Sequence, residues 1–264
     1  MELLALLVTG LSVGLVSSFF GIGGGSIIIP VLYILFPSLP PAAVISTSLG
    51  TIALSASLNT LRFSKAGLTP GKKKIIALFS ATALGAVIGS QFVYILPAAV
   101  LKKFFSVVLI VLAIKVFIKK GSSSPSEEGD GKETILKVVC FLGGFISSVT
   151  GLGGGAIFVP FFISFVKLPM KKISPYSNIA MVAASVTGVI PHFFRPGEFE
   201  LKSELAQAAF IGHVNLLFIL CLFAGAFLSS KLGVKLNDNV DESRKKLLLS
   251  LLLFGLGLKI LISA

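Results

Sequence analysis

Apolar residues occupy this chain in runs too long for a soluble fold. Ile75–Leu96, Phe104–Ile118, Leu205–Leu228 and Leu247–Ala264 each approach the ~20 residues that cross a bilayer core. Polar positions gather in short stretches between them. In the first half the pattern predicts helices over Leu3–Phe20, Ser26–Phe36, Ala42–Leu61, Ile75–Leu96 and Lys103–Ile118, with a turn at Pro37–Pro41. In the second half it predicts helices over Ile135–Val149, Ala156–Val166, Ser174–Phe194, Leu205–Leu228 and Lys246–Ile262. The expected class is an all-α polytopic membrane protein with about ten membrane helices. Hydrophobic runs recur to the last residue, and the first run carries Glu2 instead of a basic flank. Both features argue against a signal peptide followed by a soluble domain.

The two sets of helices are a duplication. GLVSSFFGIGGGSIIIP at Gly14–Pro30 returns as GFISSVTGLGGGAIFVP at Gly144–Pro160, sharing the leading glycine, both serines, the G-x-GGG, one isoleucine and the proline. Further on, PAAVISTSLG is echoed by ISPYSNIA, with Ser48 opposite Ser177. LRFSKAG is echoed by PHFFRPG, which sets Arg62 against His192 and Lys65 against Arg195. GAVIGS at Gly85–Ser90 resembles GAFLSS at Gly225–Ser230. The expected organisation is a first repeat over 1–120, a polar linker over 121–132 and a second repeat over 133–264. Internal duplication of membrane helices is the usual build of a secondary transporter.

Each repeat places four glycines where its first membrane segment is half complete. The pieces after the glycines, 11 residues each, reach about half a bilayer at ~1.5 Å per residue. Charge distinguishes a broken span from a hairpin that turns back. With hairpins, the loops 62–74, 115–137, 167–174 and 229–246 share one side and hold 5, 5, 3 and 5 basic residues, 18 of the 23 Lys and Arg. With continuous spans no bias remains. The positive-inside rule selects the hairpin. Each repeat is then a glycine-broken helical hairpin plus three spanning helices, and that odd number inverts one repeat relative to the other. Both termini are expected on the outer face and the linker inside.

Composition sharpens this picture. The mean hydropathy is +0.99, with 55% hydrophobic and 13% charged residues, so the net charge of +12 reflects basic cytoplasmic loops and not a nucleic-acid partner. Cys140 and Cys221 lie in apolar runs and have no metal-ligand neighbours at a useful spacing. All eleven acidic residues fall at Glu2 or in the stretches 127–133, 198–204 and 238–242. Cation pathways commonly need buried carboxylates, and their absence from the spans suits an anion pathway. The chain has no HExxH, no Ser-His-Asp pattern and no Walker loop, and GIGGGS lacks the lysine of a phosphate-binding loop. The reading is therefore a non-enzyme without cofactor or metal. Its partners are the lipid bilayer and a small anion, and a homo-oligomer is left open.

The candidate anion site is built from the two glycine tips. Successive glycine amides at a helix N-terminus offer unpaired donors and the positive end of a dipole. Hydroxyls add hydrogen bonds without fixed charge. The candidates are Gly23, Gly24, Gly25 and Ser26 with Thr47 and Ser48, and Gly153, Gly154, Gly155 with Ser177 and Asn178. The alternative use of these glycines is close helix packing. His192 sits near a span end, where it could line an entrance. His213 and Asn215, inside the run Leu205–Leu228, are expected to satisfy interhelical hydrogen bonds.

The duplicated G-x-GGG-[SA]-x(3)-P, each followed by a turn and a helix opening with Thr47-Ser48 or Ser177-Asn178, resembles the sulfite exporter TauE/SafE family. The resemblance spans both halves and implies a multi-pass permease of the bacterial inner (plasma) membrane. Such a permease would move sulfite or organosulfonates such as sulfoacetate. It carries over Gly21, Gly23, Gly24, Gly25, Thr47 and Ser48, then Gly151, Gly153, Gly154, Gly155, Ser177 and Asn178. The second copy departs from the first, with Ala156 where Ser26 stands and Asn178 beside the serine. Transport of another small organic or inorganic anion is the second reading, and a non-transport intramembrane enzyme or assembly factor the third.

Overall fold

The structure is a computed structural model that describes residues 2–20, 24–118, 130–166, 168, 170–197 and 207–238, with scattered positions from 247 to 262. It is an all-α polytopic membrane protein. Its helices are α1 (Glu2–Phe20), α2 (Gly25–Leu35), α3 (Pro41–Lys65), α4 (Lys72–Ile95), α5 (Ala98–Ile118), α6 (Asp130–Thr150), α7 (Gly155–Phe161), α8 (Met170–Phe193) and α9 (Leu216–Asp238). A wider π-helical turn, Phe162–Val166, continues α7. Among the described residues, four stretches are long and apolar enough to cross a membrane: α3, α4, α6 from Glu133, and α8 from Lys172.

Local chemistry fixes most boundaries. Pro41 takes the first position of α3, where a missing N–H costs nothing, and Gly71 precedes the lysines that open α4. One expected helix is displaced. The run Leu205–Leu228 is not continuous, because Phe210–Ile211 and Val214–Asn215 pair as a two-stranded hairpin around Gly212 at φ +61°. Asn215 Oδ1 then accepts the Phe218 amide at 2.9 Å, capping α9 and starting it at Leu216. The side chain expected to serve an interhelical hydrogen bond caps the start of α9. α6 begins at Asp130, inside the predicted linker, while residues 121–129 lie outside the described ones, as does much of Lys246–Ile262.

The two halves exchange partners. α1 packs along α9, with Gly10 on Leu222 and Gly225, and Gly14 on Ala226 and Ser229, so the two helices run in the same direction. α4 packs along α6 in the same way, Gly85 on the Phe141 carbonyl and Gly89 on that of Phe145. α9 starts where α4 ends, since Tyr94 touches both His192, near the end of α8, and His213, three residues before α9. α1 therefore enters from the end of the bundle at which α4 finishes, and α6 from the end at which α4 begins.

The glycine-broken segments turn back. Gly24, ahead of α2, meets Val13 midway along α1, and Phe36, after α2, stacks on Phe218 in the first turn of α9 at 4.7 Å. Phe158 of α7 likewise folds back against Gly143 of α6. α3 and α8, packed against each other, are the most enclosed of the four candidate spans, 67% and 72% buried, and form the centre.

Candidate functional site

The two glycine tips meet at this centre. A Cβ on Gly25 would stand 2.7 Å from the Gly151 carbonyl oxygen and 2.6 Å from that of Leu152, so the start of α2 abuts the opposite tip. The second tip needs its glycines for conformation too: Gly151, Gly153 and Gly154 have φ of +70°, +66° and +91°, a region that side chains disfavour. α3 forms the wall between the tips. Ile45 approaches Gly151, Ile52 approaches Gly153, and the Ser48 hydroxyl donates to the Gly151 carbonyl at 2.7 Å.

That bond changes the part Ser48 plays. Its only proton is committed to Gly151, so it ties α3 to the second tip and does not offer a donor to an anion. Thr47 differs, for Oγ1 is fully buried and has no hydrogen-bond partner among the described residues. Ser26 Oγ and Ser177 Oγ are buried and unpartnered in the same sense, as is Asn178 Oδ1. The Asn178 amide nitrogen donates back to Ser174 O at 2.9 Å, one turn earlier. Gly24, Gly25, Gly153, Gly154 and Gly155 are all buried; Gly23 lies outside the described residues. Neither α2 nor α7 has a side-chain cap, leaving their first amides without one.

Two further serines belong here. Ser147 and Ser148, just before the second tip, are 0% exposed with unpartnered hydroxyls, and Ser148 Oγ packs onto Gly188 of α8. Their signal was present in the sequence as the serine pair shared by both glycine segments. Unmet hydroxyls are costly in a core, about 1–3 kcal/mol each; Thr60 and Thr82, away from the tips, carry them too. Among the described residues no Lys, Arg, Asp or Glu is buried, and the enclosed polar groups are hydroxyls, amides and imidazole. No described group of three or more His, Cys, Asp and Glu could hold a metal ion.

A second polar cluster lies where α4 and α8 end. Tyr94 Oη and His192 Nδ1 are 2.5 Å apart, and the Arg195 guanidinium lies 4.2 Å from the Tyr94 ring centre. Arg195 also donates to Gln91 at 2.8 Å. His213 lies outside the spans, where burial pushes its imidazole below the usual range, opposed in part by its hydrogen bond to the Arg195 carbonyl.

Comparison with known proteins places this architecture. The profile of the family described as sulfite exporter TauE/SafE matches residues 6–260. A "Probable membrane transporter protein" of Haemophilus influenzae is 28% identical over 94% of this chain and 92% of its own length. MJ0441 of Methanocaldococcus jannaschii, named likewise, is 27% identical over 97% and 94%. YunE of Bacillus subtilis, again a "Probable membrane transporter protein", is 24% identical over 99% and 98%. No solved structure matches the chain.

Proposed function

The chain belongs to the sulfite exporter TauE/SafE family, and from that membership we infer that it is a secondary transporter moving sulfite or a short organosulfonate across the plasma membrane. The observation that carries this reading is the junction of the two glycine tips, next to which Ser26, Ser147, Ser148 and Thr47, the neighbour of the Ser48 that bonds Gly151, keep buried, unpartnered hydroxyls, with no buried fixed charge among the described residues. A small oxyanion bound between Gly23–Ser26 and Gly153–Ala156 would take hydrogen bonds from Thr47, Ser177, Ser26 and the uncapped amides. Helix ends contribute about half a charge each, enough to offset roughly one negative charge without a lysine that would hold it too tightly. Transport of a different small anion uses the same donors.

The repeats are inverted in this reading. Support comes from the reciprocal contacts, in which each repeat's first helix runs alongside the fourth helix of the other, and from the opposite senses of α1 and α6. Rocking one repeat against the other would then expose the junction to each side in turn. A cysteine at Ser123 in the linker is expected to react with an impermeant thiol reagent far more slowly, from outside intact cells, than one at Ser38. Equal rates would remove the assigned orientation.

The direct test is flux of labelled sulfite and labelled methanesulfonate into proteoliposomes, expected well above empty liposomes for at least one; neither moving would overturn the substrate class. Two substitutions separate binding from architecture. Thr47→Val removes an unmet hydroxyl, so it is expected to raise thermal stability without anion yet weaken anion affinity about fivefold, one hydrogen bond of ~1 kcal/mol. Ser48→Ala breaks the bond to Gly151 and is expected to lower stability instead. Melting curves with and without the anion distinguish the two.

A further inference from the structure

The cluster where α4 and α8 end is a latch across several elements. His192, fully buried, pairs through Nδ1 with Tyr94 of α4, while its backbone carbonyl accepts the His213 amide at 2.9 Å. The His213 carbonyl in turn accepts the Ser46 hydroxyl of α3 at 2.6 Å, immediately before Thr47 and Ser48. Gly212, at φ +61°, sits so close to the end of α8 that a Cβ would lie 2.6 and 2.8 Å from the carbonyls of Phe193 and Arg195. α3, α4, α8 and the hairpin before α9 are thus closed together on the side that the charge bias assigns to the exterior.

Within the described spans His192 is the side chain whose ordinary pKa, ~6.5, lies nearest neutrality. Resting on the transporter reading above, we propose that this cluster is the outer gate and that proton uptake by His192 opens it, so that external acid drives anion movement. The geometry gives the reason. Nδ1 and Nε2 of a neutral imidazole are one acceptor and one donor; Nε2 is buried and has no partner among the described residues. Once protonated, both nitrogens are donors, so Tyr94 can no longer donate to Nδ1 and must accept from it. A second cation also then stands against the Tyr94 ring that already carries Arg195. The groups facing His192 are Tyr94 from α4, His213 from the hairpin and Arg195 beyond α8, and among the described residues no carboxylate joins them to offset the new charge. The repeat makes the device one-sided, because Arg62 occupies the equivalent place at the inner end, where it is exposed and permanently charged.

The test reads the gate without relying on transport. In the full chain with Cys140→Ala and Cys221→Ala, Thr47→Cys is labelled from outside by an impermeant maleimide between pH 5.5 and 8. Its rate is divided by that of exposed Ser38→Cys, which cancels the pH dependence of thiol chemistry. The ratio is expected to rise about tenfold on acidification and to stay flat after His192→Gln. Tyr94→Phe keeps the imidazole and removes its partner, so it should shift the midpoint of the response and supplies the test if His192→Gln fails to fold. A flat ratio in the parent, or an unchanged response in both variants, overturns the proposal. Methanesulfonate flux is read separately on the parent chain and on His192→Gln, both with Thr47 intact: its sulfonate stays ionised throughout, so absent flux in the parent counts against the transporter reading and pH-independent flux against the gate.

Discussion

Gly25→Val is expected to abolish transport while the protein still inserts. The start of α2 lies against two backbone carbonyls, those of Gly151 and Leu152, at 2.7 and 2.6 Å from where a Cβ must go. Backbone atoms cannot rotate aside, so the tips must separate. Gly151 O is also the acceptor for Ser48 Oγ at 2.7 Å, and displacing it strains the tie from α3. Overpacking of this kind costs about 1–3 kcal/mol, while a shift near 1 Å at a functional centre can lower a rate about 100-fold. Insertion depends on hydropathy, which valine does not reduce. Gly71→Ala is the control, since a Cβ there meets nothing within 4 Å. Flux per milligram of reconstituted protein checks the pair, and wild-type flux from Gly25→Val would return this glycine to ordinary packing.

The second large effect is expected in the two helix seams, on stability and not on affinity. Water's expulsion of apolar surface does not drive helices together inside lipid, so close approach and backbone contacts must do so. Gly85 on the Phe141 carbonyl and Gly144 on the Thr82 carbonyl join α4 to α6; Gly10 on the Leu222 carbonyl and Gly225 on that of Leu7 join α1 to α9. Gly85→Leu or Gly10→Leu should force the helices apart and lose on the order of 3 kcal/mol or more, seen as a fall in folded yield and melting temperature in detergent. Gly255→Ala, with nothing within 4 Å of its Cβ, should change neither. Melting temperatures within a degree of the parent for both leucine variants would show that the seams carry little of the stability.

Both predictions rest on glycines, yet the sequence distinguished their uses unevenly. G-x-GGG appeared as a break because four glycines cannot continue a membrane helix without purpose. The seam glycines were visible as the likeness between GAVIGS and GAFLSS and as the leading glycine of each duplicated segment, with no sign that the first of the pair packs on α6 and the second on α1. A glycine's role is set by what approaches it, and that neighbour lies far along the chain.

The sequence alone determined what local energetics controls. Lipid demands internally satisfied backbone, so long apolar runs become helices, and the expected Ser26–Phe36 is observed as Gly25–Leu35. The duplication and the charge bias likewise needed no coordinates. Tertiary structure decided the rest. A run of mean apolar character, Leu205–Leu228, was split because Gly212 fits against the end of α8 and Asn215 finds the Phe218 amide to cap. Thr47 and Ser48 are adjacent hydroxyls of nearly equal chemistry in the sequence. Only the arrival of the Gly151 carbonyl from 103 residues away occupies the Ser48 proton and leaves Thr47 Oγ1 buried without a partner, since a hydroxyl's function follows from the acceptor that the fold brings to it.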